Sequence, residues 1–67
     1  MKKWQYRIIN TNEVPGGGIF KGKTQQAVED YLNEIGEEGW EIVNIDALEL
    51  EDRMEFIGVA KRELPSL

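Results

Sequence analysis

The sequence predicts one small α+β domain with the element order β-α-β-β, and three observations support this fold class. Residues 3–9 alternate between apolar and polar side chains, which is typical of a strand with one buried face. Residues 24–38 carry apolar side chains at helical spacing. Residues 40–62 hold two further runs of β-forming residues. Because a chain of 67 residues builds only one core, we assign 1–67 to a single domain.

The first strand is predicted over residues 3–9, with the sequence KWQYRII. The alternation places Trp4, Tyr6 and Ile8 on one side of the strand. Lys3, Gln5 and Arg7 lie on the other side. This period of two predicts a strand that is half buried.

A long glycine-rich connection, residues 10–23, precedes the predicted helix at 24–38. Thr24 is suited to cap the start of the helix, and Gly39 is suited to end it. The helix carries one apolar stripe, formed by Ala27, Val28, Tyr31, Leu32 and Ile35.

Residues 40–62 are predicted to form a hairpin, with strands near 40–50 and 54–62. A right-handed crossover after the first strand leaves a gap that the last strand fills. We therefore expect the spatial order 1-3-2, with the third strand antiparallel to both neighbours and the helix on one face.

The hairpin strands are apolar on both sides, although one helix covers only one face of such a sheet. The second face is expected to be an interface in a homo-oligomer, since large apolar patches on small proteins usually mark protein contacts. We assign this interface to Trp40, Ile42, Phe56, Ala60 and Ile9, while the parity of the hairpin strands leaves open which of their sides meets the helix. The alternative is that the long loop folds over the open face and covers it with Val14, Ile19 and Phe20.

The composition excludes most catalytic templates. The chain has no Cys and no His, which supply most nucleophiles, neutral-pH bases and zinc ligands. We expect no enzymatic activity, no cofactor and no metal. The net charge of −5 argues against nucleic-acid binding. The sequence shows no apolar run of membrane-spanning length and no signal pattern, so no membrane partner and a cytoplasmic location are expected.

The segment GGIFKGKT, residues 17–24, matches the phosphate-binding loop pattern G-x-x-x-x-G-K-[ST]. A nucleotide hydrolase is not expected, because the motif should follow a strand directly and needs a larger, mostly parallel sheet. A plain anion site at the start of the helix is the alternative function, in which the domain binds a phosphate-bearing ligand. Its candidate residues are Gly17, Gly18, Lys21, Gly22, Lys23 and Thr24.

Three segments, KKWQYRII, YLNEIGEEGWEIVNI and VAKRELP, give the chain a family resemblance over nearly its whole length. It resembles the small bacterial and phage family called domain of unknown function 4177. The matching positions are Trp4, Tyr6, Leu32, Asn33, Gly36, Glu38, Gly39, Trp40 and Glu41. The resemblance implies a short β-α-β-β domain with no assigned enzymatic activity, in which a loop of the F-x-G-K type before the helix is ordinary.

Overall fold

A computed structural model describes residues 2–15, 23–51 and 53–65. Within these ranges the chain forms three strands, a 3-10 turn at Thr11–Glu13 and one α-helix. The strands form one antiparallel sheet in the order β1-β3-β2, which confirms the predicted α+β fold and strand order. The elements are β1 (Trp4–Asn10), α1 (Gln25–Glu37), β2 (Glu41–Leu50) and β3 (Arg53–Glu63).

Helix α1 is capped at both ends by the residues that the sequence singled out. The Thr24 hydroxyl accepts a hydrogen bond from the Ala27 N–H at 3.1 Å, as expected for an N-cap. At the other end, Gly39 adopts a φ of +96°, which side chains disfavour. The Gly39 N–H donates to the Gly36 carbonyl at 3.0 Å, and the Trp40 N–H donates to the Ile35 carbonyl at 3.1 Å. This Schellman motif turns the chain directly from the helix into β2.

The core lies between α1 and one face of the sheet. Residues paired across antiparallel strands share a face, so the register Arg7↔Ala60↔Ile42 identifies the face that the helix covers. The buried residues are Ile9, Val14, Val28, Tyr31, Ile35, Trp40, Phe56 and Ala60. Ile42 is partly buried and packs against them. Val14 belongs to this core, so the loop begins on the helix side of the sheet.

Strand β2 contains a bulge opposite the middle of β3. Ile42 pairs with Ala60 and Asn44 pairs with Val59, so Val43 is the extra residue. Further along, β2 approaches β3 closely. A Cβ atom on Gly58 would lie 2.6 Å from the Asn44 carbonyl oxygen, so only glycine fits without a backbone shift.

The free edge of β3 beyond the end of β1 is covered by two short contacts. The Thr11 hydroxyl accepts from the Phe56 N–H at 2.7 Å and donates to the Phe56 carbonyl at 3.3 Å. Nearer the hairpin, the Met54 N–H donates to the Lys23 carbonyl at 2.8 Å. The chain on either side of the glycine-rich segment is therefore anchored to β3.

Two glycines near the end of α1 provide a matched pair of stability variants. Gly39→Ala is expected to destabilise the domain by about 1–2 kcal/mol, because alanine is strained at a positive φ. Gly36→Ala is expected to stabilise it by about 0.5–1 kcal/mol, since a Cβ there meets no atom within 4 Å and favours the helix. Urea unfolding of the two variants and the wild type measures both effects. Equal effects of the same sign would contradict the Schellman geometry.

Candidate protein interface

The sheet face turned away from α1 is here called the open face, and it exposes large apolar side chains. Tyr6 is 62% exposed and Ile8 is 59% exposed on β1. Ile57 on β3 and Leu48 on β2 are 57% and 58% exposed. These values are high for side chains that lie in the middle of paired strands, so this surface is apolar and accessible.

The register shows that the apolar side chains of the open face are neighbours. Ile8 lies opposite Val59, and Tyr6 is two residues from Ile8 along the same strand. Ile57 is likewise two residues from Val59 on β3. Directly opposed side chains in antiparallel strands have Cβ atoms about 4.5–5.5 Å apart, so these residues form one continuous patch.

Charged residues border this patch at one end and along β2. The Lys61 ammonium lies 4.3 Å from the centroid of the Trp4 ring, in a cation–π contact. Glu41 pairs with Lys61 in the register, and Asp46 pairs with Ile57. The open face therefore has an apolar centre on β1 and β3, and β2 borders it with acidic residues and with the exposed Leu48.

Strand β2 is exposed on both of its faces. Ile45 pairs with Gly58 on the helix side of the sheet but is 40% exposed, and Leu48 on the open face is 58% exposed. Val43 at the bulge is 51% exposed. Helix α1 packs on β3, where Tyr31 meets Phe56. Of the β2 residues, Ile42 is the one that packs against the core.

The predicted interface residues do not lie on the open face, and that assignment is wrong. Trp40, Phe56, Ala60 and Ile9 are 0–8% exposed, and Ile42 packs against them under the helix. The physical reason is that both sides of each hairpin strand are apolar, so hydrophobicity does not distinguish the two faces. The open-face residues that the prediction missed are Tyr6, Ile8, Leu48, Ile57 and Val59.

A signal for the correct choice is present in the sequence. In a Schellman motif, the residue after the left-handed glycine contacts the residue four positions before that glycine. Here these are Trp40 and Ile35, both in the core. This contact places Trp40 on the helix side, and the strand period then places Ile42 there as well.

Trp40 is also enclosed by two arginines at the margin of the core. The guanidinium of Arg62 lies 4.5 Å from the ring centroid, and that of Arg7 lies 5.1 Å from it. Arg62 also donates to the side chain of Gln5 at 3.1 Å and to the carbonyl of Glu38 at 3.5 Å. These cations close the helix end of the core, where the helix dipole is negative.

Arg7 also takes part in a series of side-chain hydrogen bonds that links the 3-10 turn to the helix. Its guanidinium donates to Glu13 Oε1 at 3.1 Å, and the Tyr31 hydroxyl donates to Glu13 Oε2 at 3.0 Å. Burial raises the pKa of Glu13, but the hydrogen bonds from Arg7 and Tyr31 outweigh it and hold this pKa below its ordinary value. Burial, with the hydrogen bond to Glu13, raises the pKa of Tyr31 to about 12.

The residues predicted to bind a phosphate are mostly outside the described part of the chain. Gly17, Gly18, Lys21 and Gly22 lie there, and their prediction stays untested. The Lys23 carbonyl accepts from Met54, and the Thr24 hydroxyl caps α1. Both described residues of this set thus have structural contacts.

A wide depression of about 530 Å³ lies at the end of β1, between the 3-10 turn and the hairpin. Its lining includes Leu48 and Ile57 of the open face, together with Asn10, Thr11 and Asn12. In the described ranges, no three acidic side chains come together in a way that would hold a metal ion. None of the helical segments in these ranges is long and apolar enough to cross a membrane.

The fold and this surface define a class: a small β-α-β-β domain with one covered and one exposed sheet face. The chain belongs to the family described as domain of unknown function (DUF4177), whose sequence profile matches residues 4–64. This confirms the resemblance drawn from the EGWE segment and its flanking strands. No match was found among curated proteins or among solved structures.

The contact between Tyr31 and Glu13 predicts a stability change at high pH. A folded pKa of about 12, raised from 10.0, means that the unfolded chain loses this proton first. The stabilisation is therefore complete below pH 10 and is lost as the pH rises towards 12. In a Tyr6→Phe background, where Tyr31 is the one tyrosine left, tyrosinate absorbance reports the pKa directly.

Glu13→Gln in the same background is expected to lower the pKa of Tyr31, because the carboxylate acceptor and its charge are lost. Burial is the larger cause, so part of the shift should persist. Glu34→Gln, on the exposed side of α1, serves as the matched control. An unchanged pKa in Glu13→Gln would contradict the contact.

Proposed function

We propose that this chain is a non-enzymatic module that associates with itself through the open face. The observation that carries this proposal is the continuous apolar patch of Tyr6, Ile8, Val59 and Ile57, with Leu48 beside it on β2. Exposed patches of this kind on small proteins are usually contact sites. A second copy is the partner because it carries the same patch, and a two-fold contact between identical surfaces is self-complementary.

The size of the domain supports the same proposal. The protein surface measures 5338 Å², and a standard interface removes about 800 Å² from each partner. Pairing two open faces would turn each thin domain into half of a layered structure with helices outside and sheets inside. Small domains that lack disulfides and metals are commonly stabilised by such association.

The absence of histidine and cysteine, which supply most catalytic bases and nucleophiles, favours a binding role over catalysis. The chain has no His and no Cys, and its strongest polar chain, Arg7–Glu13–Tyr31, joins the 3-10 turn to α1. These three side chains satisfy one another, so they serve the fold.

The phosphate-ligand alternative has no supporting contact among the described residues, because Thr24 already uses its hydroxyl as a helix cap. It stays a prediction. Calorimetric titration with mono-, di- and cyclic nucleotides tests it, with Lys23→Ala as the variant that should abolish any heat.

Ile57→Glu tests the role of the open face. The wild type is expected to sediment as a dimer or larger species at concentrations on the order of tens of micromolar. Ile57→Glu should sediment as a smaller species, because each copy would bring an unpaired carboxylate into the contact at about 1–3 kcal/mol. The fold should persist, since Ile57 is 57% exposed and lies away from the core.

Leu64→Glu is the matched control, because Leu64 is an exposed apolar residue that lies beyond the end of β3. It should leave the sedimentation unchanged. A wild type that is monomeric under these conditions, or an Ile57→Glu variant that sediments like the wild type, would refute the proposal.

A further inference from the structure

Strand β2 presents a long free edge. It is ten residues long and lies at the border of the sheet, with β3 on one side. On its outer side, no backbone hydrogen bond is made by any residue in the described ranges. Natural edge strands are usually short or carry proline, bulges or charged side chains, especially lysine. Strand β2 contains neither proline nor lysine. Its bulge lies near one end, at Val43, and its charged residues are Glu41, Asp46 and Glu49.

The side chains of β2 resemble those of a central strand. Ile45 on the helix side and Leu48 on the open face are both exposed, as is Val43 at the bulge. A strand that is apolar on both faces is suited to the interior of a sheet. A further strand paired with the outer edge of β2 would place its own side chains beside these exposed residues on both faces of the sheet.

We propose that β2 of one copy pairs antiparallel with β2 of a second copy, about a two-fold axis that passes through Ala47. The sheet would then continue across the contact in the order β1-β3-β2-β2-β3-β1. This inference rests on the proposed self-association and adds a second contact to the open face. The partner is thus another molecule of the same chain, held by main-chain hydrogen bonds as in other cases of strand addition.

The bulge selects the register. Beyond Val43, residues 44–50 are regular in their pairing with β3. An antiparallel pairing that uses this whole regular segment has its centre at Ala47. It places Asn44 opposite Leu50, Ile45 opposite Glu49 and Asp46 opposite Leu48, with Ala47 opposite its own copy.

The charges of β2 agree with this register. No two like charges lie directly opposite each other, and directly opposed like charges destabilise a strand pair. A pairing centred on Asp46 would instead oppose the two Asp46 carboxylates, and one centred on Ile45 would run into the bulge. In the favoured register the two copies of Asp46 are diagonal neighbours, which is the one unfavourable charge contact.

The other edge of the sheet is less suited to the same pairing. A pairing that uses all of β1 has its centre at Arg7, and the two arginines would lie directly opposite each other. Arg7 is also held by Glu13 and by the ring of Trp40. The edge of β2 is therefore the self-complementary one.

The two contacts are compatible in one assembly. A two-fold axis normal to the sheet places both helices on one side and both open faces on the other. The two open faces of such a pair form one larger apolar surface, and two pairs would close face to face into a tetramer with D2 symmetry.

Disulfide cross-linking tests the register, because the chain contains no cysteine. Directly opposed residues have Cα atoms about 4.5 or 5.5 Å apart, which is within the range that a disulfide spans. Ala47→Cys should form a covalent dimer in a glutathione buffer. Gln26→Cys, on the exposed side of α1, should remain mostly unlinked at the same protein concentration.

The pairing also predicts a mixed disulfide between two other variants. Ile45→Cys and Glu49→Cys should link to each other when mixed, in preference to either linking to itself. Asp46→Asn should shift the sedimentation towards the larger species, because it removes the diagonal charge contact. Cross-linking of Ala47→Cys no greater than that of Gln26→Cys would overturn the inference.

These outcomes are separate from those for the open face. If Ile57→Glu leaves a smaller species that Ala47→Cys still cross-links, both contacts are supported. If Ile57→Glu reduces the assembly and Ala47→Cys does not link, the open face is supported and the edge pairing is refuted. If Ala47→Cys links and Ile57→Glu has no effect, the edge pairing is supported and the open face is refuted.

Discussion

One helix of 13 residues has to cover a sheet whose last strand is 11 residues long. The helix spans about 20 Å, whereas β3 spans about 36 Å. The helix therefore covers one face, and only part of its length. The domain measures 45 Å along its longest axis and 19 and 16 Å along the other two. The long axis reflects the hairpin formed by β2 and β3. The small core and the exposed β2 strand follow from this mismatch, and the open face stays exposed because the helix lies on the opposite face.

The order of elements and strands could be predicted because each depends on local signals. Thr24 and Gly39 delimit the helix by capping chemistry, and the observed Gln25–Glu37 lies just inside the predicted 24–38. The strand order followed from the handedness of crossover connections, which holds for nearly all folds. None of these inferences required knowledge of which side chains meet in space.

Strand parity left the covered face open, and the residues assigned to the interface lie in the core instead, because the choice of face depends on a contact between elements. Both sides of β3 are apolar, with Phe56 and Ala60 on one and Ile57 and Val59 on the other, so composition favours neither. The contact of Trp40 with Ile35 decides the matter, since it fixes the side on which β2 leaves the helix. The bulge at Val43 was also beyond prediction, because it depends on the close approach of Gly58 to Asn44. This bulge sets the regular segment of β2, and the register proposed for its pairing with a second copy is centred on that segment.

Alternate side chains along β1 and β3 serve different purposes: those on the covered face build the core, and those on the open face are available for the proposed assembly. Ile9 and Phe56 are buried within one copy, whereas their chain neighbours Ile8 and Ile57 are mostly exposed. Changes on the open face should therefore alter association while leaving the fold intact, whereas changes on the covered face should destabilise the fold itself. On the proposed assembly, the second copy binds the folded chain only, so it adds stability by mass action. The melting temperature of this protein is then a function of its concentration, and the size of that dependence measures how much of its stability comes from a neighbouring copy.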